Sequence, residues 1–271
     1  MTGKQAVFLG VLIVALSSHP KAGYAQSSWQ ADRQLAADLR DHGVAVEKER
    51  ATLWFDAGAL SQTDIDEFAS LVNQGIQDIE AYLKIPAPDY KIRYYISSQT
   101  SISHALGRSI FLPMTKVSNR TAPYLHETTH VVAPCTDCPM WFSEGFASFV
   151  QSYISEQVGG YDGGIFAHRG NRGIDRDAAR WLANDRGQAV LPFLGRHGEP
   201  PEIAYDRSNV AAPFYVMAQS LVKFMVAKAG IETIGTVMGA PDFDEALLKL
   251  TGNSSSDWKD QWLGDVTARL K

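Results

Sequence analysis

The segment Tyr124-Leu-His-Glu-Thr-Thr-His130 holds the residues whose types and spacing are best suited to chemistry. Residues four apart on a helix differ by about 40° around its axis, so His126 and His130 leave the same face and can bind one metal ion. Glu127 follows the first histidine, where its carboxylate can reach the water that a zinc ion activates without binding the ion itself. The spacing therefore predicts a zinc site with Glu127 as general base. The alternative is two solvated histidines on a surface helix, but the segment is otherwise rich in apolar residues.

A third metal ligand is expected from Glu144, because a catalytic zinc takes three protein ligands and keeps one position for water. Glu144 lies in the aromatic stretch Pro139-Met-Trp-Phe-Ser-Glu-Gly-Phe-Ala-Ser148. A carboxylate among aromatic side chains is costly unless a partner neutralises it, and zinc is such a partner. Gly145 would allow another backbone to approach closely at this point. The alternative is a glutamate near a helix N-terminus that interacts only with the helix dipole.

Cys135 and Cys138 are the two cysteines of the chain and lie between these motifs. In an exported protein the pair predicts a small disulfide ring in a loop. A structural zinc site would need two further ligands nearby. A thiol–disulfide function is a weaker alternative, because Pro134 and Pro139 bracket the pair and the next helix begins after it.

Residues 1–25 have the layout of a secretory signal peptide. Lys4 provides a positive charge, Ala6–Leu16 is an apolar run, and Gly23-Tyr24-Ala25 offers small residues around a cleavage point. The apolar run is too short to span a bilayer, which needs about 20 residues. A buried N-terminal helix is the alternative. We expect an exported protein, periplasmic or secreted, whose mature chain begins near Gln26.

The mature chain would be acidic. Removing the leader takes away two lysines, which leaves 23 basic against 30 acidic residues and a net charge of −7. Such a chain has no electrostatic reason to bind nucleic acid or an anionic membrane surface. No later segment has 18 uninterrupted apolar residues, so we expect no membrane span in the mature chain.

Hydrophobic periodicity and turn residues divide the mature chain into two parts. Residues 26–118 predict a small α/β part with these elements: a helix at 27–42, an extended segment at 44–56, a long helix from Ser61 or Thr63 to Pro86, a strand at Tyr90–Ile96 and a short strand at Ser109–Leu112. Residues 119–271 predict a mostly helical part carrying the zinc site, with helices at about 120–132, from Pro139 onward, and at 210–229, 231–239, 242–250 and 255–270. Residues 155–208 are expected to form long loops with one short helix near 176–184.

The pair of motifs His-Glu-x-x-His and Trp-Phe-Ser-Glu-Gly-Phe-Ala resembles the gluzincin zinc metallopeptidases, specifically the bacterial peptidase MA-like group. The resemblance extends over most of the mature chain, including Tyr215–Met225 and the segment from Phe243 to Trp262. It implies a thermolysin-like α+β fold in which residues 26–118 and 119–271 form one catalytic unit. It also implies one Zn²⁺, peptide or protein substrates, and Ser109–Leu112 as the edge strand on which an extended peptide pairs.

The resemblance further implies a tyrosine or histidine that hydrogen-bonds the oxyanion of the reacting carbonyl. Tyr215 is the first candidate, Tyr205 the second, and His168 or His197 the third. A half-buried core phenol is the alternative role for Tyr215.

The sequence departs from the family pattern at Ser148, where some gluzincins carry an aspartate that orients a ligand. This departure leaves room for a catalytically weak or inactive zinc-binding protein of the same fold. His42 and His104 have no motif around them and are interpreted as structural or surface residues.

Overall fold

A computed structural model describes residues 22–158, 170–198, 200 and 210–268. Most of the expected leader lies outside the described residues. The first helix begins at Ala22, within the last residues of that leader and five residues before the predicted start.

The N-terminal part builds a five-stranded sheet with one helix on each face. Its elements are α1 (Ala22–His42), β1 (Val44–Glu47), β2 (Ala51–Phe55), α2 (Gln62–Leu83), β3 (Ile92–Ser97), β4 (His104–Leu106) and β5 (Ser109–Pro113). The predicted extended segment 44–56 is the β1–β2 hairpin. The predicted cap of α2 is confirmed, because the Ser61 hydroxyl accepts a hydrogen bond from the Asp64 backbone N–H at 3.2 Å.

The strand order β1-β2-β3-β5-β4 corrects one prediction about the edge of the sheet. The predicted strand at Ser109–Leu112 exists as β5, but it is paired on both sides, parallel to β3 and antiparallel to β4. The short strand β4, which was not predicted, forms the edge. The exposed side chains of Ile102 and Leu106 lie at the two ends of this edge.

The C-terminal part is helical. It comprises α3 (Met114–Ser118), α4 (Tyr124–Val132), α5 (Met140–Val158), α6 (Gly170–Leu182), α7 (Asp185–Val190), a 3₁₀ turn at Leu191–Phe193, α8 (Ala212–Ala229), α9 (Ile231–Met238), α10 (Phe243–Thr251) and α11 (Ser255–Ala268). The predicted helix at 120–132 begins only at Tyr124, because Pro123 is its N-cap. The last three helices match their predictions within about two residues.

The prediction of long loops over residues 155–208 is wrong for most of the described part of that segment, although the predicted short helix near 176–184 exists as the second half of α6. Helix α5 continues to Val158, and α6 and α7 follow. Helix α6 buries Ile174, Ala178 and Leu182 at helical spacing, so packing against neighbouring helices holds a sequence whose glycines and charges look loop-like.

One continuous hydrophobic core joins the sheet, α2 and the C-terminal helices. A second, smaller cluster lies on the other face of the sheet, where Leu35 and Leu39 of α1 cover Tyr95 and Phe111. The chain is therefore an α+β fold with its core between α2, α4 and α5. Within the described ranges, every helix is either too short or too polar to cross a membrane.

Candidate metal centre

Contacts with α2 and with the sheet hold helix α4 in place independently of any metal ligand. Its first turn packs on Gly75 of α2, where a Cβ would come within 2.6 Å of the Leu125 side chain. On the sheet side, the Tyr94 hydroxyl of β3 lies 2.6 Å from the Thr128 hydroxyl, and both side chains are buried. These contacts turn the opposite face of α4, which carries His126 and His130, toward α5.

The structure brings the three predicted ligands together. His126 Nε2 lies 3.1 Å from His130 Nε2 and 3.1 Å from Glu144 Oε2. His130 Nε2 lies 3.6 Å from Glu144 Oε1. One donor atom from each residue falls within 4.8 Å of the others, and the group is buried or half-buried.

These separations fit a zinc ion. Zinc binds imidazole nitrogen and carboxylate oxygen at about 2.0–2.2 Å, and a tetrahedron with such arms separates its corners by roughly 3.3 Å. Two Nε2 atoms and a carboxylate also form a donor set that catalytic zinc sites use. With both Nε2 atoms unprotonated, these two nitrogens and the Glu144 carboxylate can direct their lone pairs at one ion.

The ionisation of Glu144 also fits a metal site. Burial opposes ionisation of Glu144, but hydrogen bonds from His126 and His130 hold the pKa of its carboxyl well below the usual range. Burial likewise disfavours charge on His130, yet Glu144 raises the pKa of that imidazole. Glu144 is therefore a carboxylate, as a metal ligand must be.

Two serines of α5 face the outer nitrogens of the histidines. Ser148 Oγ lies 3.3 Å from His126 Nδ1, and Ser143 Oγ lies 3.5 Å from His130 Nδ1. With both Nε2 atoms turned to the cluster, each Nδ1–H points at a serine hydroxyl that can accept it. Ser148, the departure from the family pattern, thus occupies the orienting position itself, with a neutral hydroxyl in place of a carboxylate.

Glu127 lies beside the cluster and is 5% exposed. Burial raises the pKa of its carboxyl, while His126 and His130 lower it in part. A carboxylate with a raised pKa is a stronger base than one in water, which suits proton abstraction.

His104 lies on the edge strand β4, which packs against α4. Its ring stacks on Phe111 and its Nε2 is 2.9 Å from Asp32 of α1, so its side chain belongs to the face of the sheet that α1 covers. These contacts agree with its interpretation as a structural residue.

Tyr215 is the oxyanion candidate that the structure places beside the cluster. Its ring centroid lies 6.3 Å from that of His126, and its side chain is half-buried against the core. Its helix α8 can approach because Gly145 has no side chain: a Cβ there would lie 2.6 Å from the Ala218 carbonyl oxygen. Gly145 thus allows the close backbone approach that the sequence predicted.

The other oxyanion candidates are not brought to the cluster by any described contact. His197 instead has its Nε2 3.1 Å from Asp244 of α10. Tyr205 and His168 lie outside the described residues.

The loop between α4 and α5 contains the predicted disulfide. Cys135 and Cys138 are bonded, with their Cα atoms 5.5 Å apart, and both side chains pack against the core. The same loop contacts the C-terminal helices, because the Asp137 carboxylate accepts a hydrogen bond from the Phe243 backbone N–H at 3.1 Å.

Comparisons with known proteins support the fold. No protein-family model matches the sequence, and a search of curated proteins gives no match. Among solved structures, an M1 zinc metallopeptidase from Deinococcus radiodurans and a two-domain M1 zinc metallopeptidase variant bound to L-arginine are each similar at a TM-score of 0.50 and 19% identity. Each alignment covers 83% of this chain and 50% of the other, so the chain spans about half the length of the structures it matches. The fold of this chain is therefore similar to about half of these M1 zinc metallopeptidase structures.

Proposed function

We propose that this protein is a zinc-dependent peptidase of the gluzincin type, with a thermolysin-like catalytic domain. The observation that carries the proposal is the convergence of His126, His130 and Glu144 at zinc-like separations, with the buried Glu127 beside them. The likeness of the fold to zinc metallopeptidases supports the same conclusion.

A zinc ion in this site would supply Lewis-acid chemistry, namely polarisation of the scissile carbonyl and a water whose pKa is lowered to about 7. The Glu127 carboxylate accepts a proton from the attacking water and returns it to the leaving amine nitrogen. The Tyr215 hydroxyl donates a hydrogen bond to the oxygen of the carbonyl as negative charge develops on it. His126, His130 and Glu144 would hold the ion.

The proposed peptide-binding element is β4, in place of β5. Strand β4 is the outer strand of the sheet and packs against α4, so an extended peptide that pairs with it runs past the ligand helix. His104 on this strand would then border the bound peptide.

The test compares the wild-type protein with Glu127→Gln. Purified wild-type protein should contain one zinc per chain and cleave a proteome-derived peptide library. Glu127→Gln keeps the size and shape of the side chain but removes the base, so it should retain zinc and lose cleavage by at least about 100-fold. Cleavage that survives this change, or wild-type protein without zinc, would contradict the proposal.

A second function is favoured by one observation. The His126 ring is oriented by the neutral hydroxyl of Ser148, which supports the ligand less strongly than a carboxylate. Such weaker support of a ligand also suits a zinc-binding protein without catalytic turnover. That protein would bind zinc but cleave no member of the peptide library. The thiol–disulfide alternative requires Cys135 and Cys138 for function, whereas the peptidase proposal expects zinc content to survive replacement of both cysteines.

We also propose that the protein is exported, with cleavage after Ala25. The disulfide supports this proposal, because such bonds persist in oxidising compartments. N-terminal sequencing of protein recovered from outside the cytoplasm should begin near Gln26, and an intact Met1 would contradict it.

A further inference from the structure

The N-terminus of α4 lacks an ordinary cap. Pro123 is the N-cap residue, and its carbonyl accepts the first helical hydrogen bond, from the Glu127 backbone N–H at 3.1 Å. A proline has no side-chain acceptor for the free N–H groups of the first turn. The third of these groups, which a capping serine or aspartate commonly binds, belongs to His126.

Gln151 of α5 provides the missing acceptor. Its Oε1 accepts a hydrogen bond from the His126 backbone N–H at 3.1 Å, and the side chain is 1% exposed. Gln151 lies seven residues after Glu144, which is two helical turns, so both side chains leave α5 on the same side. Ser148 lies between them on that side. One face of α5 therefore contacts His126 at three points: its Nε2, its Nδ1 and its backbone N–H.

We infer that Gln151 is a positioning residue of the metal centre: it caps α4 from a neighbouring helix and so fixes the backbone of the first ligand. The inference rests on the proposed zinc site. A histidine side chain follows the position of its own backbone, and a metal centre tolerates ligand displacements of only about 0.5 Å. Because Glu144 and Gln151 belong to one rigid helix, the cap sets the distance between the first and third ligands.

Gln219 provides a matched control. It is also buried, at 3% exposure, but it lies on α8 and donates hydrogen bonds to Ser152 and Asn171, both at 2.9 Å. Replacing either glutamine by methionine removes one buried amide of the same length. Only the replacement of Gln151 removes a contact to a ligand residue.

The experiment measures zinc affinity of the full chain by competition with a chelator, together with the absorption spectrum of the cobalt-loaded protein. Gln151→Met should weaken zinc binding about 10- to 100-fold and shift the cobalt spectrum. Gln151→Glu keeps an acceptor at the same reach and should stay within a few-fold of the wild type. Gln219→Met should leave both readouts unchanged, even where the unfolding temperature of the metal-free protein falls.

Equal zinc affinity of the wild type, Gln151→Met and Gln219→Met would overturn the inference, as would equal weakening by Gln151→Met and Gln151→Glu. If Gln151→Met does not fold, the zinc affinity and cobalt spectrum of Gln151→Asn and Gln219→Asn are compared instead. The shorter amide of Gln151→Asn no longer reaches His126, so this variant should again bind zinc more weakly than its control. A wild-type protein that binds no zinc would instead defeat the proposed function.

Discussion

Two polar groups lie along α5 and differ in one respect. The metal cluster (His126, His130 and Glu144) lies between α4 and α5. The second group, which we call the helix network, joins α5, α6, α8 and α11 through these residues: Ser152, Asn171, Asp175, Gln219, Ser220, Lys223 and Trp262. Both take polar side chains out of water, which is costly unless each finds a partner.

The described members of the helix network pair with one another. The Lys223 ammonium is 2.8 Å from Asp175, whose other oxygen accepts from the Ser220 hydroxyl, which in turn accepts from the Trp262 indole N–H. Donors and acceptors alternate throughout. In the metal cluster, three groups able to act as acceptors converge on one point instead. The first arrangement pairs its polar groups with one another, whereas the second is one that can hold a cation.

The largest expected difference between the two groups is in metal binding. His126→Ala removes one of three ligands and should reduce zinc content from one per chain to background. Asn171→Ala removes a buried member of the helix network and should leave zinc content at one. Elemental analysis of the two purified variants tests this, and zinc retained by His126→Ala would show that the metal binds elsewhere.

Removing zinc should have the next largest effect, which is a fall in the unfolding temperature. A ligand present at 1,000 times its dissociation constant stabilises the folded state by about 4 kcal/mol. For a chain of this size that corresponds to a rise of roughly 8–16 °C in unfolding temperature. Thermal unfolding with zinc and with chelator measures it, and His126→Ala should show no such difference. A shift of equal size in that variant would contradict the assignment.

Lys223→Met should have the opposite effect to His126→Ala: it should lower the stability of the fold and leave the zinc affinity unchanged. It removes the Lys223 ammonium from the Asp175 carboxylate, and breaking a fully buried ion pair costs about 3–5 kcal/mol. Because both side chains retain some exposure, we expect about 2–3 kcal/mol by chemical denaturation. A change of more than a few-fold in zinc affinity would mean that the two polar groups are coupled.

The smallest expected effect separates two serines one turn apart on α5. Ser148 faces His126 Nδ1, whereas Ser152 accepts a hydrogen bond from Gln219. Ser148→Ala should weaken zinc binding about tenfold, the lower end of the range for residues that orient a ligand. Ser152→Ala should leave the zinc dissociation constant unchanged. Equal constants for the two variants would show that Ser148 does not support the ligand.

The metal cluster could be predicted from sequence because its members are local. The spacing of His126 and His130 places them on one helical face, and Glu144 follows after a short loop. Helix α2 was predictable for a similar reason, since its apolar period and Ser61 cap agree. The edge strand β4 was not, because three residues give no periodicity and strand order is a property of the whole sheet.

The helix network explains why α6 begins six residues before the predicted helix near 176–184. Its sequence, Gly170-Asn-Arg-Gly-Ile-Asp-Arg, has weak helix formers and many charges. Asn171 and Asp175 find their partners in α5 and α8, which lie elsewhere along the chain. Tertiary contacts therefore outweigh local propensity there, and the same contacts are absent from any short sequence window.

The closeness of the three ligands along the chain has a consequence for the order of folding. All of them lie between positions 126 and 144, and the Cys135–Cys138 ring already restricts the segment that joins α4 to α5. The Gln219–Ser152 contact of the helix network spans 67 residues, and each doubling of loop length adds about 0.6 kcal/mol to the entropy of closure. The metal site therefore belongs to the part of the molecule with low contact order, in which contacts form quickly. The pair of helices α4 and α5 can form and bind zinc before α6, α8 and α11 have packed against it.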